Sequence, residues 1–489
     1  MLFIQVSNGK VYIHIGVGSD VVCSTFIGSG RASMRGMDNR TNHAFCVRIS
    51  IFNILQINKL NLMKKFLFIL FMSLLGVNSV SAQMVFECGD FMYRTEEGTN
   101  NSVWIYGNNR DLTEIVIPET VEYEGTKYNV TGIGPYGFRN FTILTSITIP
   151  NCITRIGEMA FGGCSSLTSV TLPDDITRIE GFTFAGCTKL SSIAIPNSVT
   201  VIEESTFEGC TSLASIVLPD NLTSIKSSTF CGCSSLSSIT IPESVEYIGT
   251  DAFEGCIGLT SVSIPESVEN IGNGAFKGCS SLTSVTIPNS VTEIGISAFQ
   301  GCTSLASITI PGSVEDIGKD AFKGCSSLTS VTIPNSVTRI GDGAFEGCIN
   351  LTSVSIPESV EYIGDGAFKG CSSLAFITIP NSVTKIGYGT FEGCTGLTSI
   401  TIEATVPPTI YAEIGVSKEL PIYVPEESVS AYKSADGWKY LNILGVAAGI
   451  GGINIGNADK AVRKILHNGR VIIRKADKNY SLNGAEMKM

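Results

Sequence analysis

The sequence predicts a solenoid of mostly short parallel β-strands and turns, with little helix and a cap at each end. Three observations predict it. Cys164, Cys187, Cys210, Cys233, Cys256, Cys279, Cys302, Cys325, Cys348, Cys371 and Cys394 follow one another at intervals of 23 residues, without an insertion or deletion. Each sits in one apolar frame: Phe three residues before, Leu three after, Ile or Val six after, Ile or Leu eight after. In ten of the eleven frames a Pro comes next. A fixed period of roughly 20–50 residues marks an array in which each repeat is one coil.

The chain begins with a segment, residues 1–62, that shares neither the repeat nor its composition. At Met63-Lys64-Lys65 a basic start leads into the apolar run Phe66 to Val77, then into Asn78-Ser79-Val80-Ser81-Ala82-Gln83. A short apolar run ending in small residues is a secretory signal, and it falls below the roughly 18 apolar residues of a spanning helix. Residues 63–82 are therefore expected to be a signal peptide, Met63 the true start, and residues 1–62 an upstream extension mistakenly assigned to the protein. The mature chain then has no membrane-spanning segment. It carries 25 Lys+Arg against 42 Asp+Glu, a net −17, which argues against nucleic acid and anionic surfaces as partners.

Within residues 141–402 the coil at 276–294 shows the logic. Leu282-Thr-Ser-Val285-Thr-Ile287-Pro288 alternates apolar and polar side chains as a half-buried strand does, and Pro288 ends it because it has no N–H for a ladder. Phe276, Cys279, Leu282, Val285, Ile287, Val291 and Ile294 form the expected inward structural ladder. Gly295 is expected to let the backbone turn towards the next coil. Seven buried side chains at ~1.5–3 kcal/mol each cannot offset roughly 1–2 kcal/mol of backbone entropy for each of 23 residues, so stacking is obligatory. The strands are expected to form one long parallel sheet with coils about 4.8 Å apart.

The frame Leu-Thr-Ser-Val-Thr-Ile-Pro-Asn-Ser-Val-Thr-x-Ile-Gly-x-x-Ala-Phe-x-Gly-Cys, at Leu282–Cys302 and Leu328–Cys348, resembles the 23-residue, Treponema-type leucine-rich repeat of BspA-like bacterial surface proteins. The resemblance implies a leucine-rich-repeat solenoid. It also implies that residues 83–140 form an N-terminal cap with a lengthened first repeat, around Ile115-Val-Ile-Pro118 and Tyr128-Asn-Val-Thr-Gly-Ile133-Gly134. Residues 403–445 would be the terminal capping repeat, through Pro407-Pro408, Tyr423-Val-Pro425 and Gly437-Trp438-Lys439. Cys88, Trp104 and Trp438 are expected to help close the open ends of the ladder. Residues 446–459 read as a linker and residues 460–489 as a C-terminal β module of two short strands. That module is similar to type IX sorting modules, and a hairpin packed on the solenoid end is the alternative.

Candidate sites are few. The histidines are His14, His43 and His467, so the repeats have no imidazole to act as base or metal ligand. No Cys-x-x-Cys pair exists, and the coil cysteines read as buried free thiols; a Cys88 bridge to Cys152 or Cys231 stays open. Acidic turns at Glu243, Asp251, Asp342 and Asp365 lack a calcium-loop pattern. No cofactor, metal or catalytic residue is expected. Outward hydroxyls such as Ser238/Thr240 and Ser284/Thr286 form a ladder that Phe376 interrupts. Variation concentrates one residue before the turn-opening Ile, and the candidate binding surface is Arg178, Tyr247, Arg339, Tyr362, Phe376 and Lys385.

Members of the BspA-like family act as adhesins. The resemblance therefore implies a secreted, non-enzymatic, monomeric surface protein that binds host extracellular matrix or plasma proteins, or cell-surface glycans. The alternative is a structural spacer with no ligand of its own.

Overall fold

In the computed structural model, residues 83–446 are described except 97, 100 and 411, together with the backbone of terminal strands between residues 2 and 26 and between 462 and 487. The expected signal peptide and linker fall outside the described residues, save for Val446. The chain packs as two compact units, Met1–Ser313 with Ala321–Ser326, and Val314–Asp320 with Ser327–Met489.

Most coils supply two strands, where one had been expected. The three-residue strand, such as Ser284–Thr286, points its middle side chain inward and the flanking hydroxyls out. A Pro and a tight turn then lead to a two-residue strand, such as Glu293–Ile294, with only the Ile buried. Two-residue strands escape sequence reading because period-2 alternation needs more positions to register.

Both kinds pair in parallel, with equivalent residues of successive coils opposite each other. In the first unit Ser238–Thr240, Ser261–Ser263 and Ser284–Thr286 form one run, and Glu114–Val116, Ser146–Thr148, Ser169–Thr171 and Ser192–Ala194 another. Between them the coil at Val217 keeps only a single bridge, Ala194 to Val217. That coil carries Ala214 where neighbours carry a Thr or Ser whose hydroxyl donates to the carbonyl one coil back, as Thr283 does to Thr260 at 3.1 Å. The expected continuous sheet is thus a set of shorter ladders on two sides of the coil.

The interior is a set of in-register columns. Phe276, Cys279, Leu282, Val291 and Ile294 have no accessible surface, and Val285 and Ile287 are 6% and 5% exposed. Phe rings stack almost parallel, from Phe138 to Phe322 in the first unit at 5.2–5.8 Å, and through Phe345, Phe368 and Phe391 in the second at 5.6 and 6.0 Å. Each coil thiol donates to the carbonyl of the Phe in the preceding coil, as Cys279 Sγ does to Phe253 O at 3.2 Å. The same carbonyl accepts the N–H of its own coil's cysteine, Cys256 N at 3.1 Å, so both of its acceptor positions are filled.

Two glycine columns have different reasons. Gly278 holds φ +73°, the left-handed region that favours glycine. Gly295, expected to ease a turn, instead serves close approach: a Cβ there would lie 2.7 Å from Gly272 C and Ile271 O of the preceding coil. Gly295→Val is expected to cost about 3 kcal/mol or more, because backbone cannot move aside as a side chain can. An unchanged thermal midpoint for this variant would refute that packing.

The caps differ from the coils. At the N-terminal end, Val85–Cys88, Phe91–Thr95 and Ser102–Gly107 pair antiparallel, and Ser102–Gly107 then pairs parallel with Thr126–Ile133, which carries Arg155–Ile156 as the first two-residue strand. At the C-terminal end Phe376–Ile379, Ser399–Ile402, Pro421–Pro425 and Asn442–Val446 lie parallel, and the short helix Val429–Ser434 brings in Tyr432. Tyr432 Oη donates to Ala404 O at 2.9 Å and Trp438 Nε1 to Pro408 O at 2.8 Å, with the two rings edge to face. Trp438 closes its end, as expected. Cys88 does not contribute to closure: it is exposed and free, as are the half-buried thiols of Cys152 and Cys231.

At the chain's ends, Leu2–Ser7, Lys10–Val17 and Asp20–Phe26 form an antiparallel sheet, and Val462–His467, Arg470–Lys475, Lys478–Tyr480 and Glu486–Met487 another. Among the described residues the tail has four strands, where two had been expected. No helix among the described residues is long and apolar enough to cross a membrane.

Candidate functional site

The two-residue strand buries its Ile and turns the preceding side chain outward, so in-register pairing lines up the variable residues of neighbouring coils. In the second unit the order is Asp316, Arg339, Tyr362, Lys385, Thr409. Three of the six candidate binding residues thus become neighbours. The Arg339 guanidinium carbon stands 4.9 Å from the centre of the Tyr362 ring and Lys385 Nζ stands 4.7 Å from it. A ring flanked by two cations is held by its own quadrupole, with cation–π attraction worth about 0.5–1 kcal/mol per contact at exposed sites.

Tyr362 Oη also lies 3.4 Å from Asp342 Oδ1 and donates to it. Partial burial, then the Asp342 and Asp365 carboxylates, push the Tyr362 phenol above its ordinary value, against a smaller opposing effect of Arg339. The phenol therefore stays neutral and keeps its proton to offer.

The other candidates are placed differently. Arg178, in the first unit, is bound to Glu180 at 3.3 Å and to Glu203, which in turn meets Lys226 at 3.0 Å. Its charge is spent within the ladder. Glu180, Glu203 and Lys226 occupy the slot that is Gly in the other repeats, and that substitution in three successive coils was a legible signal of the cluster. Tyr247, 39% exposed, stands between Ser224 and Asn270 with no cation beside it in the ladder. Phe376 opens the four-residue strand Phe376–Ile379, opposite Ser399, and so is on the other ladder from Tyr362. The expectation of one shared face does not extend to it, because the fold puts a turn between the two kinds of strand.

The acidic turns have a structural role. Asp342 Oδ1 accepts the Asp365 N–H at 3.0 Å and Asp365 Oδ1 accepts the Tyr388 N–H at 2.7 Å, each tying one coil to the next. Lys277 meets Glu254 at 2.7 Å and Lys369 meets Glu392 at 3.1 Å, pairs between adjacent coils that help hold register. Among the described residues no group of three His, Cys, Asp or Glu side chains converges as a metal site.

The sequence matches the family of the BspA type leucine rich repeat region, with six copies, over residues 101–230, 131–258, 223–351 and 292–412. The fold is similar to the crystal structure of a leucine-rich repeat protein from Bacteroides ovatus, at TM-score 0.60 and 29% identity, over 74% of this chain and 99% of that one. A leucine rich cell surface protein from Faecalibacterium prausnitzii is similar at TM-score 0.43 and 28% identity, over 66% and 96% of the two chains. The leucine rich repeat protein of Treponema pallidum is similar at TM-score 0.33 and 28% identity, over 45% and 91%. No curated protein matches the sequence.

Proposed function

The chain belongs to the BspA-type leucine-rich repeat family, and from that premise we propose that it is a secreted cell-surface protein whose Arg339–Tyr362–Lys385 row binds a protein or glycan partner. Host matrix proteins, plasma proteins and cell-surface glycans are the partner classes to which this reading points. The signal pattern from Met63 to Gln83 supports export. The observation that carries binding is the row itself, since Tyr and Arg are the residue types on which interface energy concentrates.

Its place in the sequence strengthens the reading. Residues 254–292 and 346–384 are identical except at six positions, and two of the six introduce an aromatic ring, Tyr362 for Asn270 and Phe376 for Ser284. Two near-copies of the same coils thus differ where an outward side chain becomes a recognition residue. A repeat array also adds reach and valency to weak contacts.

The test is a binding screen of the purified full chain against matrix proteins, plasma proteins and glycans at physiological salt, alongside a variant with Arg339→Ala, Tyr362→Ala and Lys385→Ala. A saturable hit weakened roughly 30-fold or more in the variant, with the thermal midpoint held, is the expected result. Binding that survives the substitutions would move the site off this row. A blank from folded protein would favour the inert spacer.

A further inference from the structure

The residue five before each coil cysteine lies in left-handed backbone, and so does the residue five before Phe141, which takes the cysteine slot in the frame ahead of Cys164; φ runs from +52° to +62° along the array. That region disfavours bulky side chains. From Ser205 to Gly389 the position is always Ser, Asp or Gly. The first three coils place Tyr136, Met159 and Phe182 there, at +59°, +52° and +57°.

The position three residues further on inverts in step. From Glu208 to Glu392 it is Glu, Lys, Gln or, once, Cys231, but it is Gly162 and Ala185 in the coils of Met159 and Phe182. Met159 uses the space, since a Cβ on Gly162 would collide with its Cγ. An apolar row thus crosses three coils, from Tyr136, which is 48% exposed, to the half-buried Met159 and Phe182. Bulky side chains in left-handed backbone cost free energy, and such outliers cluster at functional sites. The turn itself does not require them, because the later coils make it with small residues.

Carboxylates border the far end of the row. Glu158 adjoins Met159. Glu204, one coil on from Phe182, accepts the Phe182 N–H through its carbonyl at 3.1 Å, and its side-chain stem lies 3.7 Å from where a Cβ on Gly181 would stand. Glu208 takes, one coil on, the place of Ala185. All three are exposed, and among the described residues none forms an ion pair. Arg139 stands at the near end, its guanidinium carbon 5.7 Å from the centre of the Tyr136 ring, while Arg178 is held by Glu180 and Glu203.

We propose that this face docks an extended peptide segment of a partner protein that runs from apolar to basic residues, its apolar side chains on Tyr136, Met159 and Phe182 and its cations over Glu158, Glu204 and Glu208. Three coil spacings, about 14 Å, lead from Tyr136 to the Glu204 coil, within reach of an extended hexapeptide at about 3.3 Å per residue. The charge is complementary to such a segment and opposes an acidic peptide or an anionic lipid surface. The surface is separate from the Arg339–Tyr362–Lys385 row, and neither reading depends on the other.

The probe is the labelled, end-capped peptide Leu-Leu-Leu-Lys-Lys-Lys, titrated with the full chain at physiological salt and read by fluorescence anisotropy. Saturable binding is expected, with Ser-Ser-Ser-Lys-Lys-Lys and Leu-Leu-Leu-Glu-Glu-Glu at least tenfold weaker. A variant with Tyr136→Gly, Met159→Gly and Phe182→Gly is expected to bind at least tenfold more weakly while its thermal midpoint holds or rises, because glycine suits the left-handed backbone. A second variant, with Glu158→Gln, Glu204→Gln and Glu208→Gln, is expected to lose affinity by a similar factor at an unchanged midpoint. A lowered midpoint in the glycine variant would assign the three side chains to packing and overturn the proposal. Equal binding of either comparison peptide, unchanged affinity in either variant, or no saturation would overturn it as well.

Discussion

Raising the pH from about 9 to 12 is expected to unfold the repeats over a narrow interval. Burial pushes the thiols of Cys164, Cys210, Cys256 and Cys302 up to about 12 and that of Cys394 to about 11, and it raises those of Cys187, Cys233, Cys279 and Cys371 well above the ordinary value. Ionising a coil thiol would also remove the hydrogen that it donates to a Phe carbonyl. In the unfolded chain a thiol gives up its proton near pH 8.5. Between those values the folded state holds more protons than the unfolded one, so stability falls as pH rises; below about pH 8 this contribution is fully present and constant. Each thiol costs about 1.4 kcal/mol per pH unit in that window, and several acting together overtake the ~5–15 kcal/mol that a whole domain has to lose.

Circular dichroism against pH measures the transition, and cysteine alkylation followed by mass spectrometry maps it. At pH 8 the reagent is expected to modify exposed Cys88 first and half-buried Cys152 and Cys231 more slowly, with the coil thiols protected until the alkaline transition. Replacing Cys187, Cys210, Cys233 and Cys256 by Ala should move the transition to higher pH even though it lowers stability at pH 7. Native spectra persisting at pH 12, or rapid modification of the coil thiols at pH 8, would contradict this account.

Phe276→Ala is expected to be the most destabilising single truncation in the first unit, at about 3–5 kcal/mol. Phe276 has no exposed surface, and its ring is stacked 5.2 Å from Phe253 and 5.4 Å from Phe299 at interplanar angles of 5° and 6°. The truncation removes two ring contacts as well as buried area, and the columns on either side have no spare side chain to fill the void. Because each coil touches only its neighbours, the damage should be local before it is global. Hydrogen exchange should show protection lost around residues 253–299 ahead of the rest, and urea unfolding should lose its single sharp transition. A uniform small decrease along the whole array would mean that the coils are not coupled as nearest neighbours.

Much of this was legible in the residues. The spacing of the coil cysteines marked the coil length, and the Phe, Cys, Leu, Val and Ile columns followed from that period, because a side chain repeated in register has only the interior or the surface to occupy. Where Pro288 stands, the three-residue strand stops, as the lack of an N–H requires. The second strand of each coil was not legible, since a pair such as Tyr362–Ile363 has no periodicity to detect. The reason for Gly295 was also hidden: glycine serves a left-handed turn and a close backbone approach equally well, and only the position of Gly272 C distinguishes them.

The site divides in the same way. The sequence marked out the slot before the buried Ile as variable and outward, and that needed no coordinates. It could not say that Arg178 is neutralised by Glu180 and Glu203 while Arg339 and Lys385 flank a tyrosine, because all but the Arg178–Glu180 pair are contacts between residues about one coil apart, and their outcome depends on which way each long side chain bends. Nor could it place Phe376 on a different ladder from Tyr362, or find the left-handed backbone of Tyr136, Met159 and Phe182, whose residue types argue against it. Period and burial are local properties that each coil states for itself, so the sequence alone determined the solenoid, its columns and its family. Pairing and charge balance arise only when coils and cap strands meet, so tertiary structure decided which outward residues form a surface.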